Sequence, residues 1–264
     1  MKKSLLVVKV GGNIVEDPEK SKAFMEAFAQ LNGHKILVHG GGKVATEVGK
    51  QLGYESQLVD GRRITDANML RVVTMTYGGL VNKQLVSGLQ HLQQNAIGLS
   101  GADGNLILAN RRPKVGDKDF GWVGDPIQVN DSFLNGLLTA ELVPVLAPLT
   151  HDGKGSMLNT NADTIANFVA VSLCDSYDIH LVYVFELNGV LADINDHSTV
   201  VRKLDKARFE TMKTNGSIAA GMIPKLDNAF EAMTQGVKKV SIINASHLGE
   251  LENEEYNAYT RLTK

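Results

Sequence analysis

The sequence predicts an α/β fold: a three-layer sandwich with a mainly parallel central sheet and two lobes. Three observations predict it. Short apolar runs alternate with stretches of helical periodicity along the chain. Two early runs, Leu5-Leu6-Val7-Val8-Lys9-Val10-Gly11-Gly12 and Ile36-Leu37-Val38-His39-Gly40-Gly41-Gly42, each end in glycines. The pattern then restarts at Ile179-His180-Leu181-Val182-Tyr183-Val184-Phe185, which puts a boundary near residue 175 and divides the chain into lobes 1–174 and 175–264.

After the first strand, Asp17-Pro18-Glu19 reads as an N-cap followed by proline at the first helical position, with the helix ending near Asn32-Gly33. A strand over 35–39 and a helix from Lys43 to Leu52 follow. The segment after Thr65-Asp66 predicts one long helix that turns Met69, Leu70, Val73, Leu80, Leu85 and Leu89 toward a core. Residues 104–129 carry Gly104, Gly116, Gly121 and Gly124 among alternating apolar positions, the pattern of an antiparallel insertion. A strand over 143–147, the turn Asp152-Gly153-Lys154-Gly155 and a helix over 162–174 complete the first lobe. The second lobe predicts helices from Asp205 to Lys213 and up to Gly236, a strand over 238–243 and a final helix.

The chain has 264 residues, 43% hydrophobic and 21% charged, with a net charge of −2. That balance, without basic runs, speaks against nucleic acid as a partner. Cys174 is the single cysteine and sits among apolar residues, so it reads as a packed thiol, and no disulfide framework or cysteine-rich metal site can be built. No apolar run reaches the roughly 20 residues that span a bilayer, and the first strand starts too early for a signal peptide. We expect a cytoplasmic protein without a membrane partner.

A strand that ends in glycines frees backbone N–H groups to point into one cavity, because glycine has no Cβ in the way. Both clusters suit a phosphate. Lys9, at an apolar strand end, must meet an anion or emerge into a cleft to escape the cost of burying its charge. The usual P-loop and dinucleotide-binding glycine spacings are absent.

Five segments occur in an order that points to one family: Lys9-Val10-Gly11-Gly12, His39-Gly40-Gly41-Gly42, Gly61-Arg62-Arg63-Ile64-Thr65, Asn159-Thr160-Asn161-Ala162-Asp163 and Gly221-Met222-Ile223-Pro224-Lys225. On these segments, and over nearly its whole length, the chain resembles the amino acid kinase family, in particular its branch acting on N-acylated glutamate. The resemblance implies transfer of the ATP γ-phosphoryl group to the side-chain carboxylate of an N-acyl-L-glutamate in arginine biosynthesis. A carboxylate is already anionic at neutral pH, so such a reaction needs no general base; it needs cations and N–H donors that align two anions.

The resemblance assigns Lys9 and Lys225 to opposite sides of the moving phosphoryl group, and Asp163 to orienting both. Asp163 could instead cap its helix, a task Asn161 can also perform. Gly11, Gly12 and Gly42 would form the phosphate cradle. Gly41, Gly42, Arg63 and Asn159 match the positions that hold the acceptor, with Arg62 the alternative arginine. The first lobe would then bind the acceptor and form a homodimer, and the second would bind ATP.

For the nucleotide, the resemblance points to Glu186, Asn188, Gly189, Val190 and Leu191, with Ser217, Ile218 and Ala219 as a second contact segment. Here Phe185 and Glu186 stand where the family usually has Ser or Thr followed by Asp. No carboxylate cluster has metal-ligand spacing, so Mg2+ is expected to arrive with ATP rather than on protein ligands. Arginine-inhibited members of the family carry an extra N-terminal helix, whereas this chain starts almost directly at the first strand, so the resemblance leads us to expect a homodimer without strong arginine feedback. Residues 52–65 and 102–122 depart from the family pattern and leave the acyl group open between acetyl and a bulkier one such as succinyl. Another carboxylate or carbamate kinase, and a ligand sensor on the same scaffold, are the competing readings.

Overall fold

Lys9, the penultimate residue of the first strand, lies at the carboxyl edge of an eight-stranded sheet, and the fold is most simply built outward from it. The computed structural model describes residues 2–59, 62–114, 116–193, 195–196, 198–219, 221–251, 253 and 258–264, without the side chains of Val59 and Arg62. The expected glycine at position 61 lies outside them.

The first part of the chain runs β1 (Lys3–Val10), α1 (Gly12–Val15), α2 (Pro18–Gln30), β2 (His34–His39), α3 (Gly42–Gln51), β3 (Leu58–Val59) and β4 (Arg62–Arg63). Next come α4 (Ala67–Val73), α5 (Asn82–His91), β5 (Ala96–Leu99), β6 (Ile107–Arg111), β7 (Gly124–Val129), α6 (Asp131–Thr139) and β8 (Val143–Leu146). The hairpin β9 (Leu149–His151) and β10 (Met157–Asn159) leads into α7 (Ala162–Ser172). The remainder is β11 (Tyr177–Phe185), β12 (Lys203–Leu204), α8 (Lys206–Thr214), α9 (Ile223–Thr234), β13 (Lys239–Asn244) and β14 (Thr260–Leu262).

The main sheet has the order β12-β14-β13-β11-β1-β2-β8-β5, and every pairing in it is parallel except β13 with β14. Alternation along β1 sends Leu5 and Val7 into one apolar layer and Leu6, Val8 and Val10 into the other. The first layer also holds Ile165 and Val169 of α7 and Leu226 of α9; the second holds Phe24 and Phe28 of α2 and Leu85 of α5. Lys9 continues the Leu5–Val7 face and so emerges beneath α7. β2 and β11 flank β1, and a parallel sheet offers its crevice at the carboxyl ends of such strands.

A second sheet, β10-β9-β6-β7, contains the antiparallel pair β6 and β7 that the glycine-spaced insertion predicts. Asp17 caps α2, accepting from the N–H groups of Glu19 and Lys20. Two expectations need correction. The long helix is interrupted by a π-helical stretch over Thr74–Val81, whose wider turns shift the side-chain phase, and Leu80 is 45% exposed rather than in the core. Among the described residues the expected final helix is a 3-10 run over Ala245–Glu250, and β14 pairs antiparallel with β13.

Candidate active site

Helix α7 begins where β1 ends, and its cap decides the chemistry. Asn161 accepts from the N–H groups of Asp163 (2.8 Å) and Thr164 (3.2 Å), so the Asp163 carboxylate is not used for capping. It points instead at two ammonium groups. Lys9 Nζ lies 2.8 Å from Oδ1, and Lys225 Nζ, from the first turn of α9, donates to Oδ2. The Lys9 and Asp163 side chains are each 7% exposed, that of Lys225 29%.

Burial pushes the Asp163 carboxyl up, but Lys9 and Lys225 together outweigh it and hold the group down at about 2. For Lys9 the balance falls the other way: burial dominates the attraction of Asp163, helped by repulsion from Lys225, and its pKa is lowered. Phe185, on the same face of β11, offers its ring to both lysines, with each Nζ 5.2 Å from the centroid. Tyr183 stacks on that ring, and its hydroxyl donates to Asn167 Oδ1.

A cavity of ≈ 240 Å³ opens beside this trio, lined by Lys9, Asp163 and Lys225, by the glycines 12 and 40–42, and by Arg63 and Asn159. The two glycine turns touch: a Cβ on Gly40 would sit 2.8 Å from Gly12 N, so no larger residue fits there without moving backbone. A Cβ on Gly12 would lie 3.4 Å from Gly41 N and 3.5 Å from Gly42 N, which shows how closely these main-chain nitrogens converge. His39 anchors the turn from below. Its Nδ1 donates to the Gly40 carbonyl and its Nε2 accepts from Asn82 Nδ2, and burial holds the ring neutral with a pKa of about 4.

Arg63, 9% exposed, donates to the Gly42 carbonyl (2.7 Å), to Thr46 Oγ1 (2.8 Å) and to Ser56 Oγ. Among the described residues it forms no ion pair. Asn159 donates to Thr65 Oγ1, which fixes the amide and leaves its Oδ1 toward other partners.

Not all the expected residues gather here. Gly11 spends its N–H on the Val184 carbonyl and does not line the cavity, so it shapes the turn without donating to the cradle. The residues from 186 to 191 and 217 to 219 do not line it either. Glu186 bonds Asn13 Nδ2 and Lys20 Nζ, both at 2.7 Å, which ties the end of β11 to the start of the first lobe. Val190, Leu191 and Ile218 are buried; Val190 N–H donates to Thr260 Oγ1, close to which Gly189 packs; and Ser217 turns back onto Asn215. The sequence reading missed Tyr77, Thr160, Leu58, Val123 and Arg112, which line the cavity, and the ring of Phe185. Only Phe185 carried a signal, as a departure from the family pattern.

Among the described residues no group of three or more His, Cys, Asp or Glu side chains could hold a metal ion, and no helix is long and apolar enough to cross a membrane.

The family model described as "Amino acid kinase family" matches residues 4–244. The chain belongs to the amino acid kinase family. Within the family it is 52% identical over 258 residues to the acetylglutamate kinase of Cytophaga hutchinsonii, with 98% of each chain covered. It is 52% identical to the acetylglutamate kinase of Bacteroides thetaiotaomicron (96% of this chain, 98% of that one) and 38% identical to that of Methanopyrus kandleri (92% and 96%). Among solved structures, N-acetylglutamate synthase from Neisseria gonorrhoeae, complexed with coenzyme A and N-acetyl-glutamate, overlays all of this chain at TM-score 0.84 and 21% identity. This chain spans 60% of the synthase. Carbamate kinase from Giardia lamblia bound to AMP-PNP overlays at TM-score 0.72 and 13% identity, with 99% of each chain covered. These two likenesses show the amino acid kinase fold.

Proposed function

We propose that this chain is an acetylglutamate kinase: it transfers the γ-phosphoryl group of ATP to the side-chain carboxylate of N-acetyl-L-glutamate, a step of arginine biosynthesis. The observation that carries the reading is the Asp163 carboxylate holding Lys9 and Lys225 beside a glycine-lined cavity. The family and the curated relatives support it.

The chemistry follows from charge. One oxygen of the acceptor carboxylate bonds to the γ-phosphorus while the bond from phosphorus to the β–γ bridging oxygen breaks, and ADP leaves with the electron pair. No proton moves. Lys9 and Lys225 neutralise the migrating phosphoryl group from two sides, and the N–H groups of Gly12 and Gly42 donate to its oxygens. Asp163 keeps the two ammonium groups from repelling each other apart before the phosphates enter. Arg63 grips the α-carboxylate, and Asn159 addresses the acyl amide.

Mg2+ belongs to this reading as the ion that accompanies ATP and neutralises its β and γ oxygens, held by phosphates and water. The second lobe would hold the nucleotide and the first the acceptor. Exposed Met75 (54%) and Leu80 (45%) on the α4–α5 segment fit a homodimer built from the first lobe, which light scattering tests. A cytoplasmic location suits a step that draws on ATP.

The test is to trap the acyl phosphate with hydroxylamine while offering N-acetyl-L-glutamate, free glutamate, aspartate and carbamate with Mg-ATP. Hydroxamate from the acylated acceptor alone supports the reading. Product from another acceptor selects a different kinase; ligand binding without product selects a sensor.

A further inference from the structure

Two adjacent acidic residues, Glu16 and Asp17, cap different helices. Asp17 caps α2, the helix it directly precedes. Glu16 reaches across to α3 instead. Its Oε1 accepts from the N–H groups of Lys43 (2.9 Å) and Val44 (3.2 Å), the second and third residues of that helix. The first N–H groups of a helix have no partner within it, and Gly41, which precedes α3, has no side chain with which to cap it. Glu16 supplies the cap from outside. It leaves the N–H of Gly42, the first residue of α3, to the cavity that Gly42 lines.

The same carboxylate oxygen lies against the other glycine turn. A Cβ on Gly12 would sit 3.1 Å from Glu16 Oε1 and 3.5 Å from Gly42 N. Glu16 follows Gly12 by one helical turn, and its N–H donates to the Gly12 carbonyl at 3.0 Å, which closes α1. The backbone between the two is fixed on both sides. Ile14, 1% exposed, packs in the layer of Phe24, and Asn13 Nδ2 bonds Glu186 at 2.7 Å, just past β11. One oxygen of Glu16 therefore joins the turn after β1 to the turn after β2.

We propose that Glu16 is a positioning residue for phosphoryl transfer: by holding the start of α3 against the Gly12 turn, it sets the N–H groups of Gly12 and Gly42 at the spacing that one phosphoryl group requires. The inference rests on the kinase reading above and adds a residue to that site. Donors act on a transition state only from hydrogen-bond distance of the developing charge, and a displacement of about 1 Å can cost about 10²-fold in rate. What the role demands of Glu16 is reach and an accepting oxygen. Its charge is a separate matter, because a negative charge at the start of α3 suits the helix dipole but opposes the arriving phosphates. Turnover should therefore follow the length of the side chain at position 16 and not its charge.

Three variants separate reach from charge. Glu16→Gln keeps the length and an accepting oxygen but no charge, Glu16→Asp keeps the charge and is one methylene short, and Glu16→Ala keeps neither. Each is assayed with Mg-ATP and N-acetyl-L-glutamate well below its own melting temperature. Glu16→Ala and Glu16→Asp are expected to lose about 10- to 100-fold in kcat while KM for the acceptor changes by only a few fold. Glu16→Gln is expected to restore kcat to within a few fold of the wild type, with KM for Mg-ATP unchanged or lower. A cap that served only the stability of α3 would rank Asp above Gln in melting temperature and leave kcat of the folded enzyme alone. If Glu16→Ala does not fold, the Asp and Gln pair still decides. An undiminished kcat in Glu16→Asp, or equal losses in the Asp and Gln variants, overturns the inference and leaves the kinase reading intact. No acyl phosphate from the wild-type protein with any acceptor overturns both.

Discussion

Asn161 accepts the main-chain N–H of Asp163 at 2.8 Å, and this contact separates the folding of α7 from the chemistry at its start. The two residues are accordingly expected to fail differently. Asn161→Ala loses a cap worth ~1 kcal/mol, read as a lower denaturation midpoint. Asp163→Asn keeps the cap but leaves two ammonium groups facing each other without a counter-charge, so kcat falls by about 100-fold or more. A fully active Asp163→Asn enzyme would remove the carboxylate from the mechanism.

Lys225→Ala is expected to reduce kcat by about 10²- to 10³-fold while KM for the acceptor changes by only a few fold, since its contact strengthens as charge moves onto the departing oxygen. Steady-state kinetics with either substrate varied reads the split. Equal losses in kcat and in acceptor affinity would mean that Lys225 binds the ground state instead.

The pH dependence has two arms. The Asp163 carboxyl lies at about 2 in the fold against 3.8 ordinarily, so its contribution to stability is fully present above pH ~4 and is lost as the pH falls toward 2. The loss is about 2 kcal/mol, measurable as the difference between urea midpoints of wild type and Asp163→Asn, which should converge at the acid end. Lys9 carries the opposite sign. Its pKa is lowered by burial, so the charged form costs the fold stability at neutral pH, and that cost fades as the pH rises through the lowered pKa toward 10.5. Activity needs the charged form, which puts the alkaline limb of kcat/KM, the quantity that reports the free enzyme, below the ordinary lysine range; a limb at or above 10.5 contradicts the assignment.

Phe185 makes a ring contact with both lysines, and its replacement by leucine removes the π face while retaining apolar bulk. Phe185→Leu is expected to lower kcat about 10-fold and move the alkaline limb to lower pH, because Lys9 loses a partner that favours its charged form. Phe185→Tyr should restore both. A variant with lower melting temperature but an unmoved pH profile would reduce Phe185 to a packing residue.

The parts of this site legible in the sequence are those where chemistry is carried by local pattern. Lys9 follows Leu5 and Val7 at a period of two, so its face could be read before any coordinate. Asn161 and Asp163 were separable because a cap must sit just before the helix. Leu80 was misread since a π-helical stretch leaves no clear mark in hydropathy and rotates everything beyond it. Arg112 was overlooked for another reason: it enters the cavity only through the pairing of β6 with β7 and the bridge from Val123 to Asn159, contacts that no local window contains. Glu186 shows the same limit, because its partners Asn13 and Lys20 lie more than 160 residues away.

The two halves of the cationic pair have unequal footing. Lys9 is welded into β1, hydrogen-bonded on both sides by β2 and β11, whereas Lys225 rides on the tip of α9 just past Gly221 and stays four times as exposed. The more exposed jaw of the vice is therefore expected to take up the larger share of thermal motion, with the other serving as its anvil. Traffic of a large phosphate ester into the cleft should be governed by how often that looser jaw lifts, and amide exchange at the start of α9 should outrun exchange in β1 by orders of magnitude.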